Sequence, residues 1–151
     1  MATQNLLQRL DTAEDTTGSS SNVSDRRIIE VFIASESITA KDAVALDMSQ
    51  TTDADKALKV VQCTDNNTDK LFVGVALESA TAGQTVKVVI RGFVEANVAG
   101  ATVEGSYLQA GATAGRLSVH STSTYSGTKI CAVSTEEDDG NVATVYVFPQ
   151  F

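Results

Sequence analysis

Between Thr85 and Arg91 the sequence alternates with strict period two, and this most narrows what the chain can fold into. Val86, Val88 and Ile90 fall on one face; Lys87, Val89 and Arg91 fall on the other. Charges confined to one face mark a half-buried strand. The alternation sits inside a longer stretch, Leu71–Val94, LFVGVALESATAGQTVKVVIRGFV. Its first part, Leu71–Glu78, is a nearly continuous apolar run and reads as a second strand. The joint, Ser79–Gln84, is small and turn-prone. Gly92 interrupts the alternating strand, as glycine does at bulges and barrel corners. Nothing here is chemically reactive; it predicts a β scaffold.

The rest of the chain extends that pattern. Arg27–Ile33 predicts a first strand with Ile29, Val31 and Ile33 on one face. ITAKDAVALDM predicts a turn at Thr39–Asp42 and a short strand, Ala43–Met48. Ser49–Ala57 is polar and reads as a loop, Leu58–Cys63 as a strand, and Thr64–Lys70 as a turn. After Val94, Gly100, Gly105, Gly111 and Gly115 punctuate brief apolar pieces, predicting very short strands and tight turns. Lys129–Val133 and Val142–Phe148 predict the last strands, joined by the acidic turn Thr135–Asn141. About seven to ten short strands with regular turn signals predict an all-β fold, a compact β-sandwich or β-barrel-like domain. A weak internal echo links Val73–Ile90 with Ile130–Val147: each runs apolar strand, turn with glycine, alternating strand. Two hairpins of similar build explain it equally well.

Met1–Ser24 differs from all of this. It is rich in Thr, Ser, Asp, Gln and Asn, and TTGSSSNVS reads as a flexible linker. Leu6, Leu7 and Leu10 are spaced for one helical turn, which is marginal alone. The expected organisation is a flexible N-terminal arm over residues 1–24 and one β domain over residues 25–151. Only the arm's leucine patch looks helical.

Composition excludes several function classes. The formal charge is -8 with a pI near 4.5. Binding nucleic acid through phosphates needs a basic face, so no nucleic-acid partner is expected. No segment approaches the ~18 apolar residues of a membrane span, and the N-terminus lacks a signal peptide's basic start and apolar core. No membrane partner is expected, and synthesis in a cytoplasm follows. Cys63 and Cys131 lie in apolar runs without metal-ligand spacing; buried thiols are the simpler reading, and a disulfide between them remains open.

The search for chemistry turns up little. His120, the one histidine, sits in LSVHSTSTYS without a GxSxG elbow and reads as a solvated loop residue. Glu136–Asp139 miss the spacing of a calcium loop and read as a solvated turn. No glycine cluster opens a helix, so no phosphate loop is present. Tyr107, Tyr125 and Tyr146 could line a sugar-binding face but are dispersed. No catalytic, cofactor or metal residues are assigned, and the chain is not expected to be an enzyme. Arg26 and Arg27 form a basic pair at the border of arm and domain that could touch an acidic partner.

From Gly74 the text GVALESATAGQTVKVVIRGFVEANV resembles a segment of tailed-phage head decoration (cement) proteins. The resemblance begins at ITAKDAVALD, from Ile38, and continues to about Gly115. It implies a compact β fold, a homotrimer, and a place on the outer surface of an icosahedral capsid in the virion. It implies the major capsid protein as partner and capsid stabilisation, without catalysis, as the role. An N-terminal arm that orders on the shell is a device of that family, and Met1–Ser24 is similar in position and character. The candidate docking residues are therefore Leu6, Leu7, Leu10, Arg26 and Arg27. The chain departs from the family's pattern in its longer acidic turn, Thr135–Asn141, and its Ser/Thr loop, Ser118–Gly127. The rival reading is a glycan- or host-binding module of a phage fibre or knob. The start at Met1 and the end at Phe151 lean toward a stand-alone cement protein.

Overall fold

A computed structural model describes residues 27–65, 71–120 and 130–148. About half of the described chain is strand, and almost none is helix: β1 (Ile28–Ala34), β2 (Ala43–Leu46), β3 (Lys59–Gln62), β4 (Phe72–Ala76), β5 (Thr85–Ala99), β6 (Tyr107–Ala110), β7 (Leu117–Val119), β8 (Ala132–Ser134) and β9 (Val142–Val147). The all-β expectation holds, and the arrangement is barrel-like.

The strands close two small barrels. Around the first the order is β1-β3-β2-β4-β5, and β5 pairs back onto β1. Around the second it is β5-β7-β6-β8-β9, and β9 pairs back onto β5. β5 belongs to both, as the last strand of one barrel and the first of the other. Closure leaves few free strand edges, the usual hazard of small sheets.

Gly92 is where β5 changes barrels. Residues up to Arg91 pair with β1, whereas Gly92 pairs with Val147 of β9. The expected interruption does not occur: β5 runs fifteen residues, through Gly92. The φ of 109° at Gly92, which side-chain-bearing residues rarely adopt, lets the strand turn without ending. Beside it the β1–β5 register skips Ile90, so a bulge lies at the corner.

The two barrels are copies in register. In the first, Ala34 pairs with Val60 in parallel; in the second, Val98 pairs with Leu117 in parallel. Val44 opposite Gln62 recurs as Leu108 opposite Val119. Val44 opposite Gly74 recurs as Leu108 opposite Ala132, and Ala76 opposite Val88 as Ser134 opposite Val145. Small features repeat too: Glu78 Oε1 accepts from the Lys87 amide, and Glu136 Oε1 from the Thr144 amide. The sequence echo between the two hairpins is thus one part of a repeat that spans five strands on each side.

The core follows the alternation, with two corrections. Val86 and Val88 are fully buried inside the first barrel with Phe32, Val44 and Val60, while Lys87 and Arg91 are exposed, as the pattern predicts. Ile90, at the bulge, is only half-buried. Val89, expected on the charged face, is 0% exposed. It belongs to the second barrel's core cluster, with Val94, Leu108 and Val145. The outer face of the first barrel is covered there by the second, which no single strand's pattern could reveal.

The polar Ser49–Ala57 stretch is not wholly a loop. It contains α1 (Asp53–Leu58), which buries none of its residues. Thr52 caps it by accepting from the Asp55 amide, and the ion pairs Asp53–Lys56 and Asp55–Lys59 bind its turns. Boundaries elsewhere move by one to three residues: β1 starts at Ile28, β2 stops at Leu46, and β8 starts at Ala132.

Candidate interaction surfaces

The predicted docking residues lie at the chain's start. Leu6, Leu7, Leu10 and Arg26 fall outside the described residues. Arg27 is half-buried and immediately precedes β1. Of the five, only Arg27 is therefore placed.

β1 itself presents an exposed apolar surface. Ile29 and Val31 do share a face, and that face points outward: Val31 is 57% exposed. The buried side of the strand is Phe32 and Ala34. IIEVFIA is apolar on both faces, and that was the available signal: a strand with one solvated face would alternate with polar residues. Only Ile33 and Ala34 pair with β3, so among the described residues Ile28–Phe32 have a ladder on the β5 side alone. By antiparallel alternation, the main-chain groups of Ile29 and Val31 point away from β5, toward an open edge. The exposed cations Lys87 and Arg91 stand across from Val31 and Ile28.

A second exposed apolar group lies on the other barrel. Val103 is 56% and Tyr107 55% exposed, with Val119 and Ile130 beside them in the sheet or next to it. Tyr146 is instead half-buried, edge-on to Phe93 at 5.0 Å and Phe148 at 5.7 Å. Tyr125 lies outside the described residues. Tyr107 and Tyr146 both stand opposite Val133, so they share the outer face of the second barrel, two strands apart.

Between the barrels sits a buried carboxylate. Asp42 is 4% exposed. It accepts from the Thr39 amide at 2.8 Å, Gln62 Nε2 at 2.7 Å and Asn97 Nδ2 at 2.9 Å. Its donors come from a turn, from β3 and from the second barrel's side of β5, so it ties the two copies together. Gly115 packs on it: with φ +75°, a Cβ there would lie 2.7 Å from the Asp42 carboxyl carbon. Lys41 adds an ion pair to Glu95 at 2.7 Å.

Several further polar residues are bonded within the fold. Asp47 is also buried, and burial pushes its pKa up. The donors Ser49 and Gln50, with Ser35 nearby, outweigh that and bring it down to about 2. The Ser35 hydroxyl is buried and meets no partner in hydrogen-bonding geometry, so Ser49 and Gln50 are the donors that hold the carboxylate down. His120 is not a solvated loop residue: it is half-buried, and Nδ1 lies 2.6 Å from Gln109 Oε1 on β6. The acidic turn is also more than solvated, since Asp138 Oδ1 accepts from the Thr102 amide at 2.7 Å. Cys63 and Cys131 are buried thiols in one cluster. Among the described residues no three His, Cys, Asp or Glu side chains gather to hold a metal ion. Among the same residues no helix is long and apolar enough to cross a membrane.

No family model matches the chain, and no curated protein sequence does. Among solved structures, the N base of the head fibre protein gp8.5 of bacteriophage phi29 is similar. The match has a TM-score of 0.58 at 14% identity and covers 81% of this chain and 94% of that one. At that identity the likeness is one of fold.

Proposed function

We propose that this chain is a structural protein of a phage head, made in the host cytoplasm and carried on the outside of the capsid in the virion, where it acts by binding and not by catalysis. The observation that carries the reading is the fold shared with a phage head fibre base over 81% of this chain. The text resemblance of Gly74–Val98 to head decoration proteins supports it from the sequence side. In this reading the partner is the major capsid protein, and the protein is a homotrimer that stabilises the shell by bridging capsid subunits. The docking element is residues 1–24 with Arg26 and Arg27. Fixing each backbone residue of such an arm costs roughly 1–2 kcal/mol. Burying Leu6, Leu7 and Leu10 returns about 1.5–3 kcal/mol each, so ordering the whole arm needs main-chain hydrogen bonds from the shell as well.

A second reading is favoured by the same neighbour, which is itself the base of a fibre: the barrels would seat a host-binding element on the head. The test is co-sedimentation with expanded capsids of the chain's own virus. Saturable binding by the full chain, lost when residues 1–24 are deleted while the melting transition stays, is the expected result. No binding by the full chain would overturn the head reading. Full binding by the truncated chain would overturn the docking role of the arm. Binding without any gain in capsid heat resistance would favour the fibre base over the cement role.

A further inference from the structure

The repeat turns the contact between the two barrels into a template. Within the chain, the first barrel presents one end to the second. The Lys41 carbonyl accepts from the Asn97 amide at 2.9 Å, and the Ala43 amide donates to the Gly115 carbonyl at 2.7 Å. The Lys41 ammonium meets Glu95. The second barrel answers with β5 and the loop before β7. By the shared register, the counterparts of Lys41 and Ala43 in the second barrel are Gly105 and Tyr107. The counterparts of Glu95 and Asn97 in the first barrel are Val31 and Ile33. Leu58, just before β3, stands where Gly115 stands before Arg116 and β7. Each barrel thus has one end engaged and one end facing no barrel.

The exposed apolar side chains sort onto those two ends. In the first barrel they are Ile28, Ile29 and Val31 on the open β1 edge, with Met48 before α1 and Leu58 at its end. In the second they are Val103, Tyr107, Val119 and Ile130, the counterparts of Thr39, Ala43, Gln62 and Phe72. Among the described residues Leu71 alone stands outside the scheme. The charge pattern agrees. Where the internal contact uses Glu95 with Lys41, both free ends have lost the charge together, to Val31 and Gly105. Loss of one charge alone would leave an unmatched ion in a second contact of this kind; loss of both leaves no unmatched ion at that position.

We propose that copies of this chain dock head to tail, the Tyr107 end of one on the β1 end of the next, repeating between molecules the contact that joins the two barrels within one. This stands on the repeat and the exposure pattern, independently of the phage-head reading. The contact is heterologous, so it closes into a ring if the rotation allows and otherwise grows as a filament. Each molecule carries -8, so association strengthens as salt screens the charge.

The test uses two variants of the full chain, Val31→Asp and Tyr107→Asp, followed by light scattering at moderate salt. Both side chains are exposed, so each variant should melt like the parent. The parent should run larger than a monomer, and each variant alone should be monomeric, with association weakened by at least roughly tenfold. An equal mixture of the two should form dimers that stop there, because one variant keeps a sound Tyr107 end and the other a sound β1 end. Should either aspartate spoil the melt, Val31→Lys and Tyr107→Ser ask the same question. A monomeric parent at all salt levels overturns the proposal. So does a variant that assembles like the parent, or a mixture that stays monomeric.

Discussion

The two barrels share a register yet solve the same problems with different chemistry. At the turn before the second strand, the first barrel has Lys41 with φ 74° and the second has Gly105 with φ 81°. One residue later the first has the buried Asp42, bonded to three donors, and the second has Ser106, accepting from the Val103 amide. After the second strand the first has the buried Asp47 and α1, while the second crosses from Gly111 to Arg116 directly. The lesson is one of position. The first barrel's turn is covered by the second barrel, where a charge must be fully bonded to be tolerated. The second barrel's turn faces no neighbour, and a hydroxyl or a bare glycine is enough.

The largest expected effects test whether the barrels stand or fall together. Val88 and Val145 are counterparts, each fully buried in its own barrel. Val88→Asp and Val145→Asp should each cost more than about 4 kcal/mol and remove the folded state, because a lone buried charge has no partner. Shared β5 should make the loss complete in both cases. A thermal melt by circular dichroism that keeps half its amplitude in either variant would show the barrels folding separately.

Next comes the junction. Asp42→Ala strands three donors, at Thr39, Gln62 and Asn97, and should cost about 2–4 kcal/mol. Its counterpart Ser106→Ala loses one exposed bond and should cost at most about 1 kcal/mol. Urea unfolding of the two variants compares them directly. Equal costs would mean that the junction carries no special burden.

Asp47 adds a pH signature that the second barrel cannot share, since Gly111 holds the matching position. Its pKa falls from 3.8 to about 2 on folding. A depressed carboxylate stabilises the fold fully above the unfolded value and loses that contribution as pH falls from about 3.8 through 2. The contribution is about 2 kcal/mol at most. Asp47→Asn should flatten the acid limb of the stability curve in that window. An unchanged limb would show that another carboxylate governs it.

How much of this was legible in the sequence follows from the range of each contact. The alternation at Val86–Val88 gave strand and buried face correctly, and Val142–Phe148 gave a strand, because period two is local. The repeat showed only in its β4–β5 and β8–β9 hairpins, where partners are neighbours in the chain. The parallel pairs β1–β3 and β5–β7 join distant segments and leave no local trace. Val89 misled because its cover comes from the other barrel. His120 misled because its partner, Gln109, is on another strand. α1 was missed because DADKAL has no buried face and is held by a cap and ion pairs alone. The arm's candidates, Leu6, Leu7, Leu10 and Arg26, lie outside the described residues and rest on the sequence.

The smallest expected effect isolates the backbone difference at the paired turns. Lys41 sits in the left-handed region, which costs a side-chain-bearing residue roughly 1–2 kcal/mol relative to glycine. Lys41→Gly should recover part of that. The substitution also loosens the unfolded chain, which returns roughly 0.4–1 kcal/mol in the opposite direction. The ion pair to Glu95 goes with it, but both partners are well exposed, so that loss is about 1 kcal/mol at most. The terms nearly cancel, and Lys41→Gly should leave the melting temperature within a few degrees of the parent. The reverse change has no such compensation. Gly105→Lys takes on the left-handed cost, finds open space and gains no Glu95 counterpart, because Val31 holds that position in the other copy. It should destabilise by about 1 kcal/mol. If Lys41→Gly proved as damaging as Gly105→Lys, the Lys41–Glu95 pair would be holding the barrels together far more strongly than an exposed ion pair can.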